Sequence, residues 1–128
     1  MKVVVDTNIL VSALWSRNGV PARILSLILT GDIIPCFDYR IMCEYREVLK
    51  RPKFGFSKEE VNSLLSWFED YGFSVLAEPL SISFSDEADK KFYEVAKHCK
   101  AVLVTGNLKH FPEDPLVMSA SEFLEKRV

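Results

Sequence analysis

Three acids and one amide in this chain stand where plain solvation is a poor explanation. Asp6 directly follows the apolar run Val3-Val4-Val5. A buried parallel strand delivers its next residue to the carboxyl edge of the sheet, where open α/β proteins place their ligands. Asp also caps helices well, so Asp6 has a second reading as the cap of a helix starting near Asn8. Glu44 belongs to a predicted helix whose apolar arc is Ile41, Met42, Tyr45, Val48 and Leu49, and at about 100° per residue it projects about 40° from Val48. Asp89 projects only about 20° from Ala96, on a helix that gathers Ala88, Phe92, Val95, Ala96 and Cys99 on one side. Both acids therefore sit where a helix meets the core, an expensive place for an unpaired charge. Each has an ordinary explanation beside the functional one: Glu44 pairing with Arg40 or Arg46, and Asp89 favoured by the dipole of its helix's first turn.

The amide is Asn107. Thr105-Gly106-Asn107 leaves the apolar run Ala101 to Val104 just as Asp6-Thr7-Asn8 leaves Val3 to Val5. A plain Gly-Asn turn would look the same. If the two strands are neighbours, both exits open onto one cleft and bring Asp6, Glu44, Asp89 and Asn107 together. Like charges about 4 Å apart repel by roughly 4 kcal/mol at an effective dielectric near 20, so three carboxylates need compensation. A divalent cation supplies it. Oxygen ligands without paired Cys or His favour Mg²⁺ or Mn²⁺ over Zn²⁺. Such an ion lowers the pKa of bound water and neutralises charge on a phosphoryl oxygen, as phosphodiester hydrolysis requires.

The elements that must position these groups alternate along the chain. A first strand to Val5 precedes a helix from about Ile9 to Trp15, then a helix opened by Pro21 and ended at Gly31. Asp32 to Phe37 is the predicted second strand, and Tyr39 to Lys50 the helix carrying Glu44, stopped by Arg51-Pro52. Ser57-Lys58-Glu59-Glu60 is a capping box for a helix with Val61, Leu64, Leu65 and Phe68 on one stripe, closed by Gly72. Phe73 to Leu76 forms a third strand, and Glu78 to Ser85 an extended connection. A helix from Asp86 to about His98 leads into the strand Ala101 to Val104. A last strand spans Leu116 to Met118, and Ser119-Ala120-Ser121-Glu122 caps a final helix. Strands separated by helices predict an α/β fold: a three-layer αβα sandwich around a mostly parallel sheet.

Composition bounds the rest. The chain has 128 residues, 48% of them hydrophobic, which suits one domain over residues 1–128. No apolar stretch approaches the roughly 18 residues needed to span a bilayer, and Asp6 interrupts the opening run where a signal peptide would continue. A soluble, cytoplasmic protein is expected. Cys36, Cys43 and Cys99 are odd in number and unpaired in spacing, so they read as core thiols rather than a disulfide or zinc framework. A formal charge of −2 excludes a protein that holds nucleic acid through a uniformly positive surface. It leaves room for a local basic rim, with Arg40, Arg46, Lys50, Arg51 and Lys53 as one candidate and Lys90, Lys91, Lys97, Lys100 and Lys109 as another.

Val4-Val5-Asp6-Thr7-Asn8-Ile9-Leu10-Val11-Ser12-Ala13-Leu14 resembles the opening of the PIN domain, the family of metal-dependent ribonucleases that includes the VapC toxins of toxin-antitoxin pairs. Glu44 to Leu49 and Arg51-Pro52-Lys53-Phe54 look like the middle of the family's toxin-component branch. Asp86 through Phe92, Leu103 through Asn107 and Ser119 to Leu124 resemble its closing motifs and last helix. The resemblance implies that Asp6, Glu44 and Asp89 are catalytic, metal-binding acids with Asn107 as a further ligand. It makes Thr7 or Asn8 a support for Asp6, and Thr105 a hydrogen-bonding member of the site. It also implies an RNA substrate, a small antitoxin partner and a possible homodimer. Many family members carry Asp where this chain has Asn107, and some carry Asp at His110. Asn ligates through its carbonyl oxygen, but one charge fewer predicts weaker metal binding. Asp86 supplies some of that charge if its loop turns inward. The alternatives are a catalytically weak or inactive domain that binds RNA or protein, and an aspartyl-phosphate phosphatase like those of the haloacid dehalogenase family, which needs a second Asp where Asn8 stands.

Overall fold

Residues 1–127 are described by a computed structural model. Five short strands form a parallel sheet in the order β3-β2-β1-β4-β5. They are β1 (Lys2–Val5), β2 (Ile34–Phe37), β3 (Phe73–Ser74), β4 (Val102–Val104) and β5 (Val117–Met118). Among the described residues six α-helices accompany them: α1 (Thr7–Trp15), α2 (Val20–Thr30), α3 (Tyr39–Leu49), α4 (Lys58–Tyr71), α5 (Glu87–Cys99) and α6 (Ala120–Arg127). The result is the expected αβα sandwich, with every strand pairing parallel.

β1 lies at the centre because it has no polar face to show. Val3, Val4 and Val5 are all buried, as continuous apolar strands covered on both sides must be. β1 pairs with β4 through Val3 opposite Val102, Val4 opposite Leu103 and Val5 opposite Val104. That register ends both strands at the same level, so Asp6 and Thr105 leave the sheet side by side. α5 packs across β1, β2 and β4, α1 packs on α2 and α3, α2 also meets α6, and α4 covers β2 and β3. Tyr45, Phe68 and Phe92, from α3, α4 and α5, fill the core, the first two meeting edge to face at 5.7 Å.

Local signals set most boundaries. Gly31 ends α2 with φ 85°, a conformation that favours glycine. Ser57 caps α4 by accepting from the Glu60 N–H, but the Glu60 carboxylate turns away to Arg17, so the box is half closed. Ser119 and Glu122 close theirs in both directions, at 3.1 and 3.0 Å. Gly72 permits close packing: a Cβ there would lie 2.6 Å from the carbonyl oxygens of Phe68 and Pro35. The third strand is shorter than expected, and Leu76 lies outside it, almost wholly exposed. Two 3₁₀ turns, Pro52–Phe54 and Leu108–His110, were not signalled by apolar periodicity. Among the described residues no helix is long and apolar enough to cross a membrane.

Candidate active site

Asp6 is buried where β1 ends. Its backbone is extended at the N-cap position of α1, and its carbonyl accepts from the Ile9 N–H, yet its side chain makes no capping bond. The carboxylate instead accepts from the Thr105 hydroxyl at 2.7 Å, across 99 residues of sequence. The Asp6 N–H donates to the Val104 carbonyl at 3.0 Å, and the Gly106 N–H donates to the Asn8 side-chain oxygen at 3.3 Å. Three bonds therefore tie the two strand exits together. The Thr105 oxygen also accepts from the Asn107 N–H at 3.0 Å, which fixes the turn carrying Asn107. The Asn107 side chain itself is exposed.

Glu44 reaches this place from α3. Thr7 donates its hydroxyl to one Glu44 oxygen, and Lys91 of α5 holds the other at 2.7 Å. Neither Arg40 nor Arg46 is its partner: Arg40 pairs with Asp38 and Glu94, and Arg46 lies 3.9 Å from Glu69. Asp89 sits in the first turn of α5, half-buried, with His110 Nδ1 3.1 Å from its carboxylate. Asp86 does not turn inward. It caps α5 by accepting from the Ala88 N–H at 3.0 Å and stays exposed.

The charges of these acids act on one another. Burial pushes the Asp6 carboxyl up from 3.8 to about 6, and the charges of Asp89 and Glu44 push the same way. The Thr105 hydroxyl and the Thr7 N–H oppose the rise without cancelling it. Asp89 is raised by burial first and by Asp86 next, with Glu44 adding to the rise and His110 resisting it. Burial, aided by the charges of Asp6 and Glu44, also raises the buried Tyr45 hydroxyl, which donates to the Val5 carbonyl beneath the cluster. The charges of Glu44 and Asp89 are thus felt at Asp6, and that of Glu44 at Asp89. Among the described residues, however, no three His, Cys, Asp or Glu side chains stand as a ready-made ion site. The reason is visible in the partners, since Glu44 is turned toward Lys91 and Thr7, and Asp89 toward His110.

A cavity of about 330 Å³ opens beside the cluster, lined by Asn8, Ser12, Thr105, Gly106, Ser119 and Ser121 among others. A larger groove of about 420 Å³ lies against Arg23, Leu124 and Arg127, and neither opening is lined by Asp6, Glu44 or Asp89. Much of the predicted basic rim is engaged internally: Arg51 with Glu47, Lys97 with Asp114, Arg40 with Asp38 and Glu94. Sequence reasoning passed over Asp38, which leaves β2 as Asp6 leaves β1. Its oxygens cap α3 through the Ile41 N–H and hold Arg40, so it stays outside the cluster. Two partners were also missed, Lys91 on Glu44 and His110 on Asp89. Helical projection describes one helix at a time, and both contacts cross between elements.

Residues 2–109 match the family described as PIN domain. An uncharacterized protein of Methanocaldococcus jannaschii is 34% identical over 111 residues, covering 84% of this chain and 71% of the relative. The matched residues contain Asp6, Glu44, Asp89, Thr105 and Asn107.

Proposed function

The chain belongs to the PIN domain family, whose members are in general metal-dependent nucleases, and from that premise we propose that it is an endoribonuclease working with Mg²⁺ or Mn²⁺. The observation that carries the reading is the approach of Asp6, Glu44 and Asp89 from three separate elements, close enough that Glu44 and Asp89 raise the cost of ionising Asp6 and Glu44 raises that of Asp89. Such an arrangement destabilises a fold unless a ligand compensates it.

The donor set fits a hard divalent ion in kind: three carboxylates and an amide carbonyl at Asn107, with no thiolate among them. Asp6, Glu44 and Asp89 would hold the ion, with Asn107 contributing a neutral oxygen. When bound, it supplies activation of a water and neutralisation of charge on the phosphoryl oxygen. The chain's own residues orient the acids. Thr105 fixes one oxygen of Asp6, Thr7 fixes one of Glu44, and His110 steadies Asp89. Lys90, next to Asp89 on α5, and the exposed Lys109, two residues past Asn107, are the candidates to meet an RNA backbone. The branch resemblance supports a cytoplasmic toxin whose small antitoxin covers the cleft, and a homodimer is compatible with it.

The experiment is cleavage of an RNA mixture with Mg²⁺, with Mn²⁺ and with chelator, by the wild type, Asp6→Asn and Asp89→Asn. Cleavage that needs a divalent ion and disappears in both variants is expected. Full metal-dependent activity in either variant overturns the assignment. RNA binding without cleavage would favour a binding module, with Asn107 as the reason for lost turnover. Co-purification of the native chain with a small protein is the expected sign of a toxin role, and recovery as a lone monomer counts against it.

A further inference from the structure

Among the described residues, Lys91 is the lysine whose ammonium reaches Glu44 of the acidic cluster. Its side chain is only 13% exposed, its ammonium meets Glu44 Oε1 at 2.7 Å and donates to the Ala88 carbonyl, and it lies 5.1 Å from the centre of the Phe92 ring. A lysine on an exposed helix face would extend into water, whereas here the stem is laid along α5 so that its charge points back toward α3. The other Glu44 oxygen, Oε2, already accepts from Thr7. Both oxygens of this carboxylate therefore hold a donor.

We propose that Lys91 is a built-in counter-ion for the acidic pocket, which stabilises Glu44 in the ion-free protein and must release it when a divalent cation binds. The inference rests on the metal reading above and adds to it a residue that sets how tightly the site takes its ion. The charge balance supports it. Asp6, Glu44 and Asp89 carry three negative charges when ionised, and in the ion-free protein Lys91 offsets one of them at Glu44, a role that a divalent ion taking Glu44 would assume. Lys91 acts through Glu44, so it is a positioning residue.

Two consequences oppose each other and make the idea testable. Without Lys91 the ion-free protein loses the compensation of Glu44 and becomes less stable. The same change removes a competitor for Glu44, so a divalent cation binds more tightly; two cations competing for one partly buried carboxylate is an effect of about tenfold. Lys91→Met keeps the stem over Phe92 and removes the charge, and Lys91→Arg keeps the charge. Calorimetric titration with Mn²⁺ alone and thermal melts with chelator are run on the wild type and both variants. Lys91→Met should bind Mn²⁺ about tenfold more tightly and melt lower without metal, with Lys91→Arg close to wild type in both. In the unmodified chain, the Lys91 side-chain NMR signals should shift when Mg²⁺ is added, a measurement that needs no variant to fold. Binding by the wild type with no tightening in Lys91→Met, or Lys91 signals unmoved by bound Mg²⁺, overturns this inference alone. Absence of Mn²⁺ uptake by both the wild type and Lys91→Met overturns the metal reading and this inference with it.

Discussion

Asp6→Asn should make the metal-free protein more stable at neutral pH while abolishing the proposed metal-dependent cleavage. In the folded chain the Asp6 carboxyl is pushed from 3.8 to about 6, chiefly by burial. At about 1.36 kcal/mol per pH unit of displacement, ionised Asp6 costs the fold about 3 kcal/mol at pH 7.5. The sign follows from proton uptake. Between pH 3.8 and 6 the folded state holds a proton on Asp6 that the unfolded state has released, so stability falls as pH rises through that window. Acidification from pH 7.5 to 5 should therefore stabilise the wild type by about 1 kcal/mol from this group, and to pH 4 by about 2 kcal/mol. Asp89, raised in the same direction, adds to the trend. Asp114, held down to about 2 mainly by Lys97, acts oppositely, but its contribution is lost only as pH falls from 3.8 toward 2, below the window. In Asp6→Asn the amide can still accept from Thr105, and because the shift to about 6 already contains that hydroxyl's preference for the charged carboxylate, the net gain at pH 7.5 is about 3 kcal/mol. Urea unfolding at pH 7.5 and pH 5 with chelator measures both quantities. A wild type whose stability is flat or falling on acidification, or an Asp6→Asn chain with the same pH slope as the wild type, would refute the reasoning.

Other predictions follow from the same contacts. Thr105→Val removes the donor to Asp6 and the acceptor of the Asn107 N–H, and should cost about 2 kcal/mol at pH 7.5 but less at pH 5, where Asp6 is protonated; urea unfolding at the two values checks it. Asn107→Asp returns a negative charge to the turn, so it should tighten Mn²⁺ binding severalfold and lower the metal-free melting temperature, read by calorimetry and thermal melts.

The fold was legible where side chains answer to a single element. Val3 to Val5 and Val102 to Val104 are apolar enough to have one reasonable fate, and they became adjacent central strands. Glu44 and Asp89 were picked out by projection because each helix has one apolar arc, and both are half-buried as that position requires. What escaped depends on neighbours from elsewhere in the chain. Glu94 is buried because it accepts from the Leu80 N–H of the preceding connection and pairs with Arg40 of α3, neither of which its own helix pattern contains. Lys91 counted as one more basic residue until α3 placed Glu44 opposite it. The capping alternative for Asp6 was undecidable from sequence, since cap and site need the same residue at the same strand end, and only the Thr105 contact separates them.

The central claim is that acids from β1, α3 and α5 gather to hold one divalent ion. Its most direct test is paramagnetic broadening of backbone amide signals as Mn²⁺ is added to the metal-free protein. Signals around Asp6, Glu44, Asp89 and Thr105 should vanish first and together, and survive in Asp6→Asn at the same Mn²⁺ concentration. Broadening that begins elsewhere, or strikes the regions of Asp6 and Asp89 at widely different concentrations, would contradict it.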